Sequence, residues 1–82
     1  MEIRISGKAA KELDRIPEPV FNKIKEKIQE LGQNPQPAGA RRLAAWPGFR
    51  IRVGDYRLLY GIDRKHNRII VYRIRHRKDA YR

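Results

Sequence analysis

Phe49-Arg50-Ile51-Arg52-Val53-Gly54-Asp55-Tyr56-Arg57-Leu58-Leu59-Tyr60-Gly61-Ile62 is the stretch that decides the fold. Apolar and charged residues alternate from Phe49 to Val53, the two-residue repeat of a strand with one buried face. Gly54-Asp55 is a hairpin turn signal. Tyr56 to Ile62 reads as a second strand, Asp63 to Asn67 as a polar turn, and Ile69 to His76 as a third strand. Strict alternation puts Phe49, Ile51 and Val53 on one face with Tyr56, Leu58, Tyr60 and Ile62, joined by Ile70, Tyr72 and Ile74. The opposite face receives Arg50, Arg52, Arg57, Arg73 and Arg75.

Upstream of Gly48 the period is different. Met1–Ile5 alternates and reads as a short strand, with Ile3 and Ile5 toward the core and Arg4 on the arginine side. Ser6 is placed to cap a helix whose apolar residues are Ala9, Ala10, Leu13 and Ile16. Pro17-Glu18-Pro19 ends it. Val20, Ile24, Ile28 and Leu31 form the stripe of a second helix, with Gly32 expected just past its end and Pro35 preventing continuation. Residues 33–47 read as a loop containing Arg41-Arg42 and the single tryptophan, Trp46, expected to cover the core. The order β-α-α-β-β-β predicts one α+β domain over residues 1–82, with two N-terminal helices on one face of an antiparallel sheet of about four strands.

Composition narrows the function. The chain has 82 residues, 40% hydrophobic and 35% charged, with net charge +11 and no cysteine. A disulfide framework and a thiolate metal site are excluded, two histidines make a structural zinc site a poor fit, and the content suits a reducing cytoplasm. No apolar run reaches the ~20 residues that span a bilayer. Residues 1–40 hold seven Lys/Arg and six Asp/Glu, whereas residues 41–82 hold thirteen and three. A polyanion is the natural partner of the second half, and nucleic acid is the commonest. A membrane surface fits less well, because the basic half reads as strands and offers no amphipathic helix.

Any one of these arginines could be a solvated strand position. As a set on one sheet face they repel one another, and they make sense if a phosphate backbone lies across them. Arginine suits that task because its planar fork donates two parallel hydrogen bonds. Arg4, Arg73 and Arg75, with Lys78 beyond the last strand, are the expected RNA-binding residues.

The stretch from Phe49 to Asp63, followed by Val71-Tyr72-Arg73-Ile74-Arg75-His76-Arg77-Lys78-Asp79-Ala80-Tyr81, resembles the RelE/ParE toxin superfamily. Leu13–Pro17 and Ile28–Pro35 match its helical part, so the likeness covers nearly the whole chain. On the RelE branch it implies a ribosome-dependent endoribonuclease that cleaves mRNA, needs no cofactor or metal, and is held in check by a RelB-like antitoxin. The catalytic set carried over is Arg50, Arg52, Arg57, Arg77 and Tyr81. The family often has lysine where this chain has Arg50 and Arg52.

The implied chemistry is attack of a ribose 2′-hydroxyl on the adjacent phosphate, leaving a cyclic phosphate and a 5′-hydroxyl. It needs charge stabilisation on the non-bridging oxygens, a base and an acid. Arg57 and Arg77 suit the first task. Arginine stays protonated and is a poor base, so Tyr81 and His76 remain for proton transfer. His76 shares the parity of core residues, which favours a structural histidine, and Tyr81 could instead stack on a base. His66, in the polar turn, is assigned no role. The alternative is a ParE-like toxin that inhibits DNA gyrase without being a nuclease. A third class, a small non-catalytic RNA-binding protein, explains the charge but leaves the C-terminal Arg, His and Tyr without a purpose.

Overall fold

A computed structural model describes residues 1–44 and 47–78. The elements in chain order are β1 (Glu2–Ile5), α1 (Gly7–Asp14), α2 (Val20–Gln33), β2 (Arg41–Arg42), β3 (Phe49–Val53), β4 (Tyr56–Asp63) and β5 (Arg68–His76). The strands form one sheet in the order β1-β5-β4-β3-β2. The α+β class with two N-terminal helices holds, with two differences in the sheet. Arg41–Arg42 adds a fifth strand beside β3, and β1 joins β5 in parallel, so the sheet is mixed. The parallel pair needs a long crossover, and the chain between β1 and β5 supplies one through two helices and three strands.

Ser6 links the end of β1 to both the sheet and α1. Its N–H donates to Val71 O at 3.0 Å, and its hydroxyl accepts the Ala9 N–H and donates to Tyr72 O at 2.8 Å. The expected cap is therefore also an edge contact of β5. Ala9, Leu13 and Ile16 are buried, as is the α2 stripe Ile24, Ile28 and Leu31. Against them lie Ile51, Val53, Leu58, Tyr60, Val71 and Ile74 from the sheet. The buried Tyr60 hydroxyl donates to Pro35 O at 2.7 Å, which pins the loop after α2 to the sheet centre and satisfies the phenol.

Gly32 lies inside α2, not past its end. A Cβ there would sit 3.0 Å from Ile3 Cδ1 and 3.2 Å from Met1 O, so the glycine admits the close approach of the N-terminal strand. The Met1 amino group donates to Gly32 O at 2.8 Å. Ile3 packs on the core, but Ile5 is 40% exposed, because α2 meets β1 near Met1 and Ile3 and does not reach its far end. Trp46 and Tyr81 lie outside the described residues.

The parity expected for β5 also fails at one point. Leu59 pairs with Arg73 but Tyr60 pairs with Val71, leaving Tyr72 as an extra residue in a bulge. The core residues of β5 are thus Ile69, Val71 and Ile74, whereas Ile70 and Tyr72 belong to the other face. The Tyr72 ring covers Gly61 there, 2.9 Å from where a Cβ would be.

Candidate nucleic-acid interface

Pairing register assembles the arginines. Arg52 of β3 lies directly opposite Arg57 of β4, and Arg57 lies directly opposite Arg75 of β5. These three form a rank across the sheet on the face away from the helices. The next rank runs Arg41, Arg50, Leu59, Arg73 over β2 to β5. Directly opposed side chains start from Cβ atoms about 5 Å apart. Each like-charge pair at such a distance costs something under about 1 kcal/mol in water.

Arg50 and Arg52 are exposed, and Arg57 and Arg75 half-buried. The Arg52 Nε–H donates to Gly54 O at 3.3 Å. Arg77, just past β5, is held through its backbone N–H, which donates to Asp55 O at 2.7 Å. That contact keeps residue 77 beside the β3–β4 turn, the end of the sheet where Arg52 lies. Lys78 is exposed, and its N–H donates to His76 Nδ1 at 3.2 Å. Two open concavities indent the arginine face. One is bordered by Arg41, Arg50, Arg52 and Arg57. The other lies among Arg42, Leu43, Arg50, Arg57, Leu59 and Arg75.

Arg4 and Arg73 of the expected set each form an ion pair. Arg4 pairs with Glu2 of its own strand at 2.7 Å. Arg73 pairs with Glu12 of α1 at 2.9 Å, at the edge of the sheet, where the same carboxylate accepts the Ile74 N–H at 2.8 Å. Partial burial works against ionisation of Glu12, and the Arg73 guanidinium with the Ile74 N–H outweighs it, so its carboxyl lies below its ordinary value. Alternation alone could not reveal that Arg73 has a partner 61 residues away.

His76 sits on the Tyr56 side of the sheet, edge-on to that ring with centroids 5.1 Å apart. With Nδ1 accepting from Lys78, its proton belongs on Nε2. His66 is bound to Asp63 at 2.9 Å in the β4–β5 turn. Burial raises the Tyr60 phenol, which removes it from proton transfer near neutrality. Among the described residues no cluster of three or more His, Cys, Asp or Glu could hold a metal ion. The residue that sequence reading missed is Arg41. Its signal was the Arg41-Arg42 pair in an otherwise Pro-, Gly- and Ala-rich loop, and only strand pairing shows that it stands opposite Arg50.

The chain matches the family described as the ParE toxin of type II toxin–antitoxin systems, parDE, over residues 3–81. It is 33% identical to "Toxin RelG" of Mycobacterium tuberculosis over 98% of this chain and 94% of that protein. It is also 33% identical to "Toxin RelE" of the same organism, over 98% of this chain and 84% of that one. Among solved structures it resembles the RelBE2 toxin–antitoxin complex of M. tuberculosis with TM-score 0.81 and 27% identity, covering 92% of this chain and 95% of that one. The RelB–RelE antitoxin–toxin complex of Methanococcus jannaschii aligns with TM-score 0.75 and 26% identity over 95% and 94% of the two chains. No helix is long and apolar enough to cross a membrane among the described residues. Fold, extent of match and identity agree, and the chain belongs to the ParE toxin family of type II toxin–antitoxin systems, within the RelE/ParE superfamily.

Proposed function

We propose that this toxin is a ribosome-dependent endoribonuclease that cleaves mRNA and so halts translation in the cytoplasm. The observation that carries the reading is the rank Arg52–Arg57–Arg75, three arginines directly opposed in the pairing of adjacent strands. Such a rank concentrates positive charge on one face, where a phosphate backbone can lie across it. The 33% identity to toxins named RelG and RelE supports the same branch.

In this reading Arg57 and Arg77 stabilise the charge that develops on the non-bridging oxygens as the ribose 2′-hydroxyl attacks. Arg50 and Arg52 hold the strand entering the site, with Arg75, Lys78, Arg4 and Arg73 extending the contact to flanking phosphates. Arg4 and Arg73 would engage RNA from within their pairs with Glu2 and Glu12. Tyr81 is assigned to proton transfer or base stacking. The face is rich in arginine and poor in bases of near-neutral pKa, so the ribosome must supply the in-line geometry of the attack, an orientation worth several kcal/mol. A RelB-like antitoxin would neutralise the basic half by covering it, as partners that fold on binding can.

The test is translation in a cell-free extract with mapping of mRNA ends, set beside the same toxin on naked mRNA. Cleavage on translating ribosomes, lost in Arg57→Ala, is the expected result. Equal cleavage of both substrates would remove ribosome dependence. The family match is to a ParE toxin, which keeps the gyrase reading in view: no cleavage of either substrate, with gyrase inhibited, would establish it.

A further inference from the structure

Leu59 is out of place on the arginine face. It stands between Arg50, directly opposite on β3, and Arg73, directly opposite on β5, with Arg57 two residues away on its own strand. Leu43 approaches from the loop after β2, held there by its N–H donating to Gly48 O at 3.0 Å. The two leucines floor an open concavity of about 350 Å³ whose walls are Arg42, Arg50, Arg57 and Arg75. The neighbouring concavity, with Arg41, Arg50, Arg52 and Arg57, has Ile51, a residue of the core, as its one aliphatic lining residue.

We propose that Leu59 and Leu43 form a nucleobase subsite, taking one unstacked base of single-stranded RNA next to the phosphate held by Arg52, Arg57 and Arg75. This rests on the RNA reading above and adds to it a place where the base itself is felt. A phosphate gains nothing from a leucine, because its oxygens want donors and charge. A nucleobase has flat apolar faces and a polar rim. Its face can cover Leu59 and Leu43, and its rim can accept from the surrounding guanidinium groups or stack beneath one. Leu59 and Arg57 project from the same face of β4 two residues apart, about 7 Å along the strand, so one nucleotide can place its base on the first and its phosphate on the second. An apolar antitoxin segment could cover a leucine too, but the four arginines lining the concavity favour a ligand that carries negative charge beside its apolar face, as a nucleotide does.

The experiment is equilibrium binding of the full chain to a short single-stranded RNA methylated at every 2′-hydroxyl, so that it cannot be cleaved. A parallel series lacks one nucleobase at each successive position. In the native protein one abasic position should weaken binding roughly 5-fold, the low end of the range for base–aromatic stacking, because the floor is aliphatic. Leu59→Ala should weaken the intact RNA by a similar factor and cease to respond to that abasic position. Leu59→Met, which keeps apolar bulk, should restore most of the affinity. Indifference of the native protein to every abasic position would overturn the proposal, and that arm needs no variant to fold. So would intact RNA binding in Leu59→Ala together with loss of its binding to a RelB-like antitoxin, which would give the leucine floor to the antitoxin. Arg57→Ala separates the two levels. If it loses affinity while the Leu59 variants do not, the subsite alone fails; if it too binds as the native chain does, the RNA reading fails with it.

Discussion

Glu12 of α1 and Arg73 of β5 close the open edge of the sheet: the carboxylate holds the guanidinium at 2.9 Å and the Ile74 N–H at 2.8 Å. β1 pairs with β5 only as far as Val71, so beyond it β5 has a neighbouring strand on its β4 side alone. Ser6 takes over at Tyr72 and Glu12 at Ile74. Side chains of the first helical segment thus complete the hydrogen bonding of the last strand.

Loss of that carboxylate should destabilise the fold. Glu12→Ala leaves the Ile74 N–H without its acceptor and Arg73 without its partner, and we expect a loss of about 1–2 kcal/mol. The ion pair itself belongs at the low end, since its side chains are 24% and 34% exposed and water screens them. In a domain of this size about 1 kcal/mol lowers Tm by roughly 4–8 °C. The folded-state carboxyl lies below its ordinary value of 4.5, so its contribution is present above that value and fades as pH falls through the depressed pKa. Thermal melts from neutral pH down through the acidic range should show the native chain and Glu12→Gln converging at low pH. A gap that widens on acidification would refute the assignment.

The β3–β4 turn gives a test of backbone conformation alone. Gly54 has φ +58°, and nothing lies within 4 Å of where its Cβ would be. Gly54→Ala should therefore cost about 1 kcal/mol from the left-handed backbone, with no steric contribution. Gly54→Asn should cost less, because asparagine tolerates that region. Chemical denaturation of both variants checks the order, and equal losses would mean that the turn rearranges.

The hairpin and the face of β3 could be read directly, because strict alternation through Phe49–Val53 and a glycine turn leave little choice of register. The last strand was harder. Ile69, Ile70, Val71 and Tyr72 are all apolar, so no period is visible, and nothing in composition marks Tyr72 as the bulged residue. Counting back from Ile74 therefore put Ile70 and Tyr72 in the core in place of Ile69 and Val71. Gly32 misled for a related reason: glycine near a helix end usually stops the helix, and here the approach of Met1 and Ile3 sets the requirement. Arg50, Arg52, Arg57 and Arg75 could be placed on one face from parity. The pairing that sets Arg41 against Arg50 and Glu12 against Arg73 depends on contacts distant in sequence, which local pattern does not carry.

Arg57, at the centre of the rank, should separate activity from stability. Arg57→Ala should reduce mRNA cleavage by about 10²-fold or more, the usual consequence of removing one charge-stabilising donor. The variant should still fold, because the side chain lies on the face away from the core. RNA binding should also lose salt sensitivity: each phosphate contact contributes about 0.7 to the slope of log affinity against log salt on a single strand, so the slope should fall by about that amount. A variant with native cleavage and an unchanged salt slope would remove Arg57 from the site.

His76 and Tyr81 compete for the proton-transfer role, and the surroundings of His76 give it a structural part. His76 already has work in the fold: Nδ1 accepts the Lys78 N–H at 3.2 Å, and the ring stands edge-on to Tyr56. Replacing it removes an acceptor close to Arg77 and a ring contact worth about 0.5–1.5 kcal/mol. His76→Gln should therefore lower Tm and reduce cleavage only as far as Arg77 is displaced. Tyr81→Phe keeps the aromatic body and removes only the hydroxyl. If the hydroxyl moves a proton, cleavage should fall by about 10²-fold or more; if the ring only stacks on a base, Tyr81→Phe should cleave normally and Tyr81→Ala poorly. Single-turnover cleavage on programmed ribosomes, read with thermal melts of the same preparations, distinguishes these cases. A His76→Gln toxin that melts like the native chain yet cleaves more slowly than Tyr81→Phe would make the histidine the acid or base in place of Tyr81.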